Sequence, residues 1–316
     1  MSEKKLFTIQ VTQLKTRLDR CLAENLDVSR SRIQRDIEKG NVSVNGKVPI
    51  EAKFVVRAGD AIVYHFAEEA LEEEAKNIPL KTLYNNHGLL IIDKPPGLSV
   101  HPGSGFKGDS LTQALLYHFK DIRLVGEEGR PGIVHRLDKD TSGVMLIALT
   151  QDMYEYLKDA FQDRRVKKEY IALVQGRMEK PQGFIDTPIG KSKSDFRKYT
   201  TKNMVQAKES LTEYRVLEVL QHPNGVDEMS LILVKLHTGR THQIRVHFNS
   251  VGHPLLGDSL YGNTKIQIKE LSRQFLHARK IEVQLPDATW IEAEAEFPKD
   301  LRVVLENLHS KVLHNL

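Results

Sequence analysis

The run His135–Leu149, HRLDKDTSGVMLIAL, constrains this chain more than any other stretch. Val144–Leu149 is a continuous apolar segment of the length expected for a buried strand. Directly before it, six positions hold a His, an Arg, a Lys and two Asp, followed by Thr-Ser-Gly. The fold must therefore pin a dense knot of charge to the edge of a core strand. Rigid anchoring of that kind suits a reacting carboxylate. Charge clusters are more often solvated ion pairs, however, and residue types alone favour that plainer reading. The rest of the chain has to decide between them.

At 316 residues the chain is long enough to bury a sizeable core and to form two domains. Its longest apolar runs, around Met145 and Leu231, are too short to span a bilayer. Phe7–Val11 is interrupted by Thr8 and Gln10, which is not the apolar core of a signal peptide. Cys21 is the one cysteine, so an intrachain disulfide and a Cys-based zinc site are both excluded, and a buried inert thiol is expected. A cytoplasmic protein without membrane association follows as the expectation. Charge is unevenly placed: residues 1–66 carry 12 Lys/Arg against 8 Asp/Glu, and residues 67–76 carry one Lys against five Glu. A basic head, an acidic hinge and a mildly basic body point towards nucleic acid.

Residues 1–14 read as a tail and residues 15–66 as a small domain. Leu14, Leu18, Cys21, Leu22 and Leu26 form a helical stripe. A second helix is capped by Ser29, buries Ile33 and Ile37, and ends at Gly40. It turns Arg30, Arg32, Arg35 and Lys39 outward, as a solvated face or as a surface for phosphates. Val42 and Val44 alternate with polar residues before the hairpin signal Asn45-Gly46, and a further strand covers Ala61–Phe66. The portion SRSRIQRDIEKGNVSVNGK resembles the S4-type RNA-binding domain, which implies recognition of structured RNA. Residues 67–78 read as an acidic linker with room for a short helix.

The second domain spans residues 79–316. Leu89–Ile92 is a strand that stops at Asp93-Lys94-Pro95-Pro96-Gly97, and helices are predicted over 111–119 and 152–161. Gly105–Lys107 is a weak candidate phosphate cradle. Tyr170 is placed at the first position of the strand YIALVQG, where core packing is the plainer role. The loop 190–203 interleaves Lys191, Lys193, Arg197 and Lys198 with Phe196 and Tyr199, a composition that suits RNA or simple solvation. Leu231–Leu236 is a strand, Thr238-Gly239 a turn, and the helix-period residues Ile244, Phe248 and Val251 follow. Thr241 is the predicted N-cap and Gly252 the terminator of that helix. Arg240 then stands at a strand-to-helix junction, a natural place to face an anion, with His242 and Arg245 on the first turn. His237, His242 and His247 lack metal-ligand spacing, and no GxSxG elbow or dinucleotide fingerprint occurs. What remains is a carboxylate between basic residues, and a nearby positive charge favours the charged form of such a group.

The stretches DKPPGLSVHPG (93–103), GIVHRLDKDTSGVMLIA (132–148), KKEYIALVQG (167–176) and LHTGRTHQIRVHFNSVGHPLLGDSLYG (236–262) resemble, in order and spacing, the RluA/RluD-type RNA pseudouridine synthases. The resemblance implies an α+β fold, a mixed, largely antiparallel sheet with a central cleft, preceded by the small α/β RNA-binding domain. It implies Asp138 as the essential aspartate and nucleophile, and Arg136 as the residue that opens the RNA and fills the site of the extruded base. Tyr170 matches the tyrosine that stacks on the uracil and is a candidate for removing the C5 proton, Arg240 the arginine that pairs with the aspartate, and Arg245 a second arginine. The implied reaction turns uridine into pseudouridine with no cofactor and no metal. The implied partner is structured RNA, namely large-subunit (23S) ribosomal RNA or a ribosomal precursor particle, and the expected state is a monomer. A non-catalytic RNA-binding or ribosome-assembly factor, a tRNA-directed synthase and a nucleoside-bond hydrolase are the alternatives.

Overall fold

The structure, a computed structural model, describes residues 4–12, 15–26, 30–49, 51, 53–67, 74–101, 108–127, 129–195, 197–262, 266 and 268–316. It divides into two units, Met1–Glu72 and Glu73–Leu316. The described stretch 74–80 has no regular structure, and the remainder of the predicted linker helix lies outside the described residues.

The first unit contains β1 (Lys4–Gln10), α1 (Leu18–Asn25), α2 (Arg30–Glu38), β2 (Val42–Val44) and β3 (Ala61–Ala67). Leu18, Cys21 and Leu22 from α1 meet Ile33 and Ile37 from α2 over Val42, Val44 and Tyr64, as the helical stripes require. Asn45 and Gly46 both take positive φ, 51° and 77°, the backbone that a tight hairpin turn demands. The expected N-terminal tail is a correction. Lys4–Gln10 pairs antiparallel with β3 from Lys4↔Ala67 to Gln10↔Ala61, because β3 would otherwise expose a full edge of unpaired N–H and C=O groups. Ser29 and the side chains of Arg30, Arg32 and Arg35 lie outside the described part of the structure; Lys39 is exposed.

The second unit holds β4 (Lys81–Asn86), β5 (Leu89–Lys94), α3 (Leu111–His118), β6 (Ser142–Ala148), α4 (Gln151–Gln162), β7 (Lys167–Gln175), β8 (Gln182–Asp186), β9 (Ile189–Ser192), β10 (Tyr199–Thr200), β11 (Met204–Lys208), β12 (Leu211–Gln221), β13 (Glu228–Leu236), α5 (Gln243–Ser250), β14 (Leu276–Gln284), β15 (Trp290–Glu294) and α6 (Lys299–Asn307). A mixed, largely antiparallel sheet runs β8-β12-β13-β7-β14-β6-β5-β4, with β15 also paired to β14. Among the described strands of this sheet, β6 and β14 are the pair that runs parallel, through Ser142↔His277 and Gly143↔Ala278.

Every residue of β6 is buried, which accounts for its unbroken apolar sequence. Successive residues of β7 serve opposite faces: Ala172 and Val174 join a core with Met153 and Leu157 of α4 and Ile244 and Phe248 of α5. Ile171 and Leu173 join a second core with Leu301, Val304 and Leu305 of α6. A Cβ on Gly143, at φ +117°, would lie 2.0 Å from the Ala278 carbonyl oxygen, so the close parallel contact of β6 and β14 depends on glycine. Among the described residues no helix is long and apolar enough to cross a membrane.

Candidate active site

The charged knot ahead of β6 is held by backbone contacts on several sides. Lys94, fully buried at the end of β5, donates from Nζ to the carbonyls of Pro95, Leu98 and Lys139 at 2.8, 2.9 and 3.0 Å. Burial lowers its pKa to about 7, against the opposing pull of Asp138 and Asp140. The Gly97 N–H reaches the same Lys139 carbonyl at 2.9 Å. Arg273, buried and forked onto Asp300, donates from Nη1 to the Asp140 carbonyl at 3.0 Å. His135 folds back over β6, and its Nε2 accepts the Leu146 N–H at 2.8 Å while the ring stacks on Phe161. Burial, aided by Lys168, pushes its pKa down to about 3, so the ring is the neutral acceptor this bond needs.

Asp138 projects from this clamped loop with its side chain 15% exposed. Its Oδ2 accepts from Arg245 Nη1 at 2.8 Å, and its Oδ1 lies 3.8 Å from His242 Nε2. The other two nitrogens of Arg245 each donate to Asp258, Nε at 2.7 Å and Nη2 at 2.8 Å, in a bidentate fork. Burial opposes the charge on Arg245, but the two carboxylates overcome it and hold the guanidinium pKa above its ordinary value. Asp258 is itself pulled below the usual carboxylate range: burial is outweighed by Arg245 and by the N–H groups of Leu260 and Tyr261.

The arginine paired with Asp138 is therefore Arg245 and not Arg240, which corrects the sequence expectation. Helix α5 starts at Gln243, so Arg245 lies on its buried first turn, whereas Arg240 is in the preceding turn and donates from Nε to the Glu209 carbonyl at 3.0 Å. Thr241 is not the cap either. His242 occupies that position at φ 56°, and the turn is organised by Gln243, whose Oε1 accepts from Arg240 N–H and Thr238 Oγ1. Gly252 does follow the helix, at φ 88°. Tyr170 is the fourth residue of β7 and not its first; it is buried beside Val234 and Ala278. Burial, and next the charge of Asp138, raise its phenol pKa, so it presents a neutral ring.

A cavity of about 580 Å³ opens over these groups. Asp138, Tyr170, His242, Arg136 and Arg240 line it, with Arg130, Lys158, Arg164 and Lys168 further round the wall. Among the described lining residues six Lys/Arg stand against two acids, an excess of positive charge that attracts anions. Arg136 is exposed at this opening. Lys191, Lys193, Arg197 and Lys198 are not part of the lining; the first three are exposed, and Arg197 is forked onto Asp195. Their segment connects to the site through Tyr199, whose N–H donates to Tyr261 Oη at 2.9 Å. His237 and His247 bond to Glu213 and to Thr212 and Thr187. Phe196 and residues 102–107, with the weak phosphate cradle, lie outside the described residues. Asp258, Tyr261 and Gln243 had no assigned role in the sequence reading, although Asp258 and Tyr261 stand within the quoted GDSLYG.

Comparison with known proteins shows what this chain is similar to. The sequence profile of the RNA pseudouridylate synthase family matches residues 88–250, and that of the S4 domain matches residues 16–62. An uncharacterized RNA pseudouridine synthase of Aquifex aeolicus is 44% identical over 248 residues, covering 78% of this chain and 77% of that protein. Ribosomal large subunit pseudouridine synthase D of Borreliella burgdorferi is 35% identical, covering 99% and 95%. The solved structure of human RNA pseudouridylate synthase domain containing 1 superposes with a TM-score of 0.54 at 26% identity, covering 75% of this chain and 97% of that one.

Proposed function

This chain belongs to the RNA pseudouridylate synthase family and is an isomerase, and from that premise we propose that it converts uridines of large-subunit ribosomal RNA to pseudouridine, with Asp138 as the nucleophile and no metal or cofactor. The observation that carries the reading is a carboxylate fixed by a buried arginine at a basic cavity that also presents a neutral aromatic ring. The relatives named for the large ribosomal subunit support the choice of RNA, and the S4-type unit supports a structured target.

In this reaction the N1–C1′ bond of uridine breaks, the base turns, and a C5–C1′ bond forms. C5 loses its proton and N1 gains one, so no electrons or other atoms are exchanged with solvent, and the chemistry asks for no redox or Lewis-acid partner. Asp138 is the reacting carboxylate: Arg245 holds its Oδ2, and its Oδ1 lies beside His242, a residue of the cavity wall. Withdrawing the target base from its stack costs roughly a few kcal/mol. Arg136 at the opening replaces the base in the helix, and Tyr170 gives it a surface to stack on, which together offset that cost. Arg130, Arg240 and Lys168 on the cavity wall are the cations that take up backbone phosphates in this reading.

The test is conversion of uridine in transcripts of bacterial 23S RNA by the purified chain, read as release of label from C5. Asp138→Asn should abolish release while RNA affinity stays within about twofold, since no phosphate contact is lost. A wild-type chain that binds these RNAs and leaves every uridine unchanged would favour an assembly factor instead.

A further inference from the structure

Tyr261 is the pivot of the polar network behind Asp138. Its Oη accepts the Tyr199 N–H at 2.9 Å and stands 2.8 Å from Nδ1 of His242. When the hydroxyl donates to Nδ1, both contacts are satisfied. The opposite tautomer leaves a buried hydroxyl proton without an acceptor among the described residues, at a cost buried polar groups rarely bear. Burial raises the phenol pKa to about 12, so the proton stays on Tyr261. The Tyr261 ring is fixed by Ile189 and Val246 and lies 5.1 Å from the guanidinium of Arg245.

His242 is arranged to match. Burial lowers its pKa in spite of Asp138, and the positive N-terminal end of α5 further disfavours an imidazolium. The ring is therefore neutral, with its proton on Nε2, 3.8 Å from Oδ1 of Asp138. The backbone at this residue has φ 56° and ψ 22°, a left-handed conformation that side-chain-bearing residues adopt rarely and that concentrates at functional sites. Arg245 holds Oδ2 and leaves Oδ1 with only this imidazole N–H beside it among the described ion-pair partners.

We propose that His242 is a positioning residue for the reacting carboxylate: Tyr261 fixes its Nε2–H tautomer, and that N–H, with Arg245, sets which oxygen of Asp138 faces the substrate. The proposal rests on Asp138 being the reacting group. It also makes Tyr199, next to Lys198 in the basic segment, the first link of a chain that ends at the carboxylate.

Long-range proton–nitrogen correlation spectra of the RNA-free full chain read the tautomer directly, with His242 assigned among the 13 histidines by comparison with His242→Gln. The wild type is expected to show Nδ1 unprotonated and Nε2 protonated. Tyr261→Phe, which keeps the ring over Arg245 and removes the Tyr261–His242 hydrogen bond, should give mixed tautomers and lower kcat about tenfold with KM within about twofold. His242→Gln can place an amide N–H near the Nε2 position and should recover most of kcat, whereas His242→Ala should not. An Nδ1–H tautomer in the wild type overturns the proposal, as does a Tyr261→Phe chain whose tautomer changes while kcat does not. Failure of the underlying reading shows itself separately: a wild-type chain that forms no pseudouridine removes the positioning role but leaves the measured tautomer standing.

Discussion

Arg245→Lys keeps the charge at the centre of the site and removes the fork. Arg245 makes three charge-assisted bonds to two carboxylates, at 2.7, 2.8 and 2.8 Å, and is only 6% exposed. A single lysine nitrogen cannot span Asp138 and Asp258 with that geometry, so one carboxylate loses its partner. Asp258 has no exposed side-chain surface and keeps the Leu260 and Tyr261 N–H groups, so Asp138 is the one released. Breaking a buried pair costs about 3–5 kcal/mol, and the retained positive charge places this variant near the lower figure, about 3 kcal/mol. With a urea dependence of about 2–3 kcal/mol per molar, the unfolding midpoint should fall by about 1–1.5 M. Trp290, the one tryptophan, sits on β15 and reports on the catalytic unit by fluorescence. The freed carboxylate should also cost about a hundredfold in uridine conversion, as expected for a shift of about 1 Å in a reacting group. A midpoint and a rate both equal to wild type would refute the assignment of Arg245 as the clamp.

Arg240→Ala should behave differently, because its Nε contact is to the Glu209 carbonyl and not to Asp138. KM should rise and the salt dependence of RNA binding should weaken by about one phosphate contact with kcat nearly preserved, whereas a collapse of kcat alone would return Arg240 to the carboxylate. His135 gives a pH signature. Its pKa is about 3 in the folded chain against an ordinary 6.5, so the unfolded chain binds a proton that the folded chain does not. The stability contribution is fully present above pH 6.5 and is lost progressively as pH falls towards 3. In His135→Gln, which can still accept the Leu146 N–H, the decline between pH 6.5 and 5, above most carboxylate titrations, should flatten; an unchanged slope there refutes the burial argument.

The strands and helices next to the site were readable because their patterns are local. Val144–Leu149 is apolar throughout since β6 is covered on both faces, and Leu157 and Ala160 fall at helical spacing because α4 lies on one of them. Interactions between distant segments left no comparable mark. Nothing in KKLFTIQ announces a partner more than fifty residues away, so β1 passed for a tail. Arg240 and Arg245 both follow a strand and precede or begin a helix, and motif position alone ranked the wrong one. The cap of α5 is His242, one residue later than the expected Thr241, and Arg245 then falls on the buried first turn while Arg240 stays in the turn before it. Tyr170 reads as a strand start because the apolar run begins there, although the charged Lys167–Glu169 before it continue β7 as its pairing with β14 requires. Buried amides such as Gln243 carry no periodic or motif signal, because their worth lies in partners at positions 211, 212, 238 and 240.

The parallel contact between Gly143 and Ala278 has a consequence for the order in which the chain matures. The loop bearing Asp138 is fixed at one end by β14, yet β14 is encoded 135 residues after β6. At roughly 5–20 residues per second, synthesis leaves that loop without its anchor for about 7–27 s. Arg245 and Asp258 emerge earlier, but Arg273 and β14 must follow before the knot is held from both sides. The S4-type unit closes with β3, long before that moment. A nascent chain therefore possesses its RNA-binding head well ahead of a finished catalytic centre, and chains cut short before residue 276 retain the first without the second.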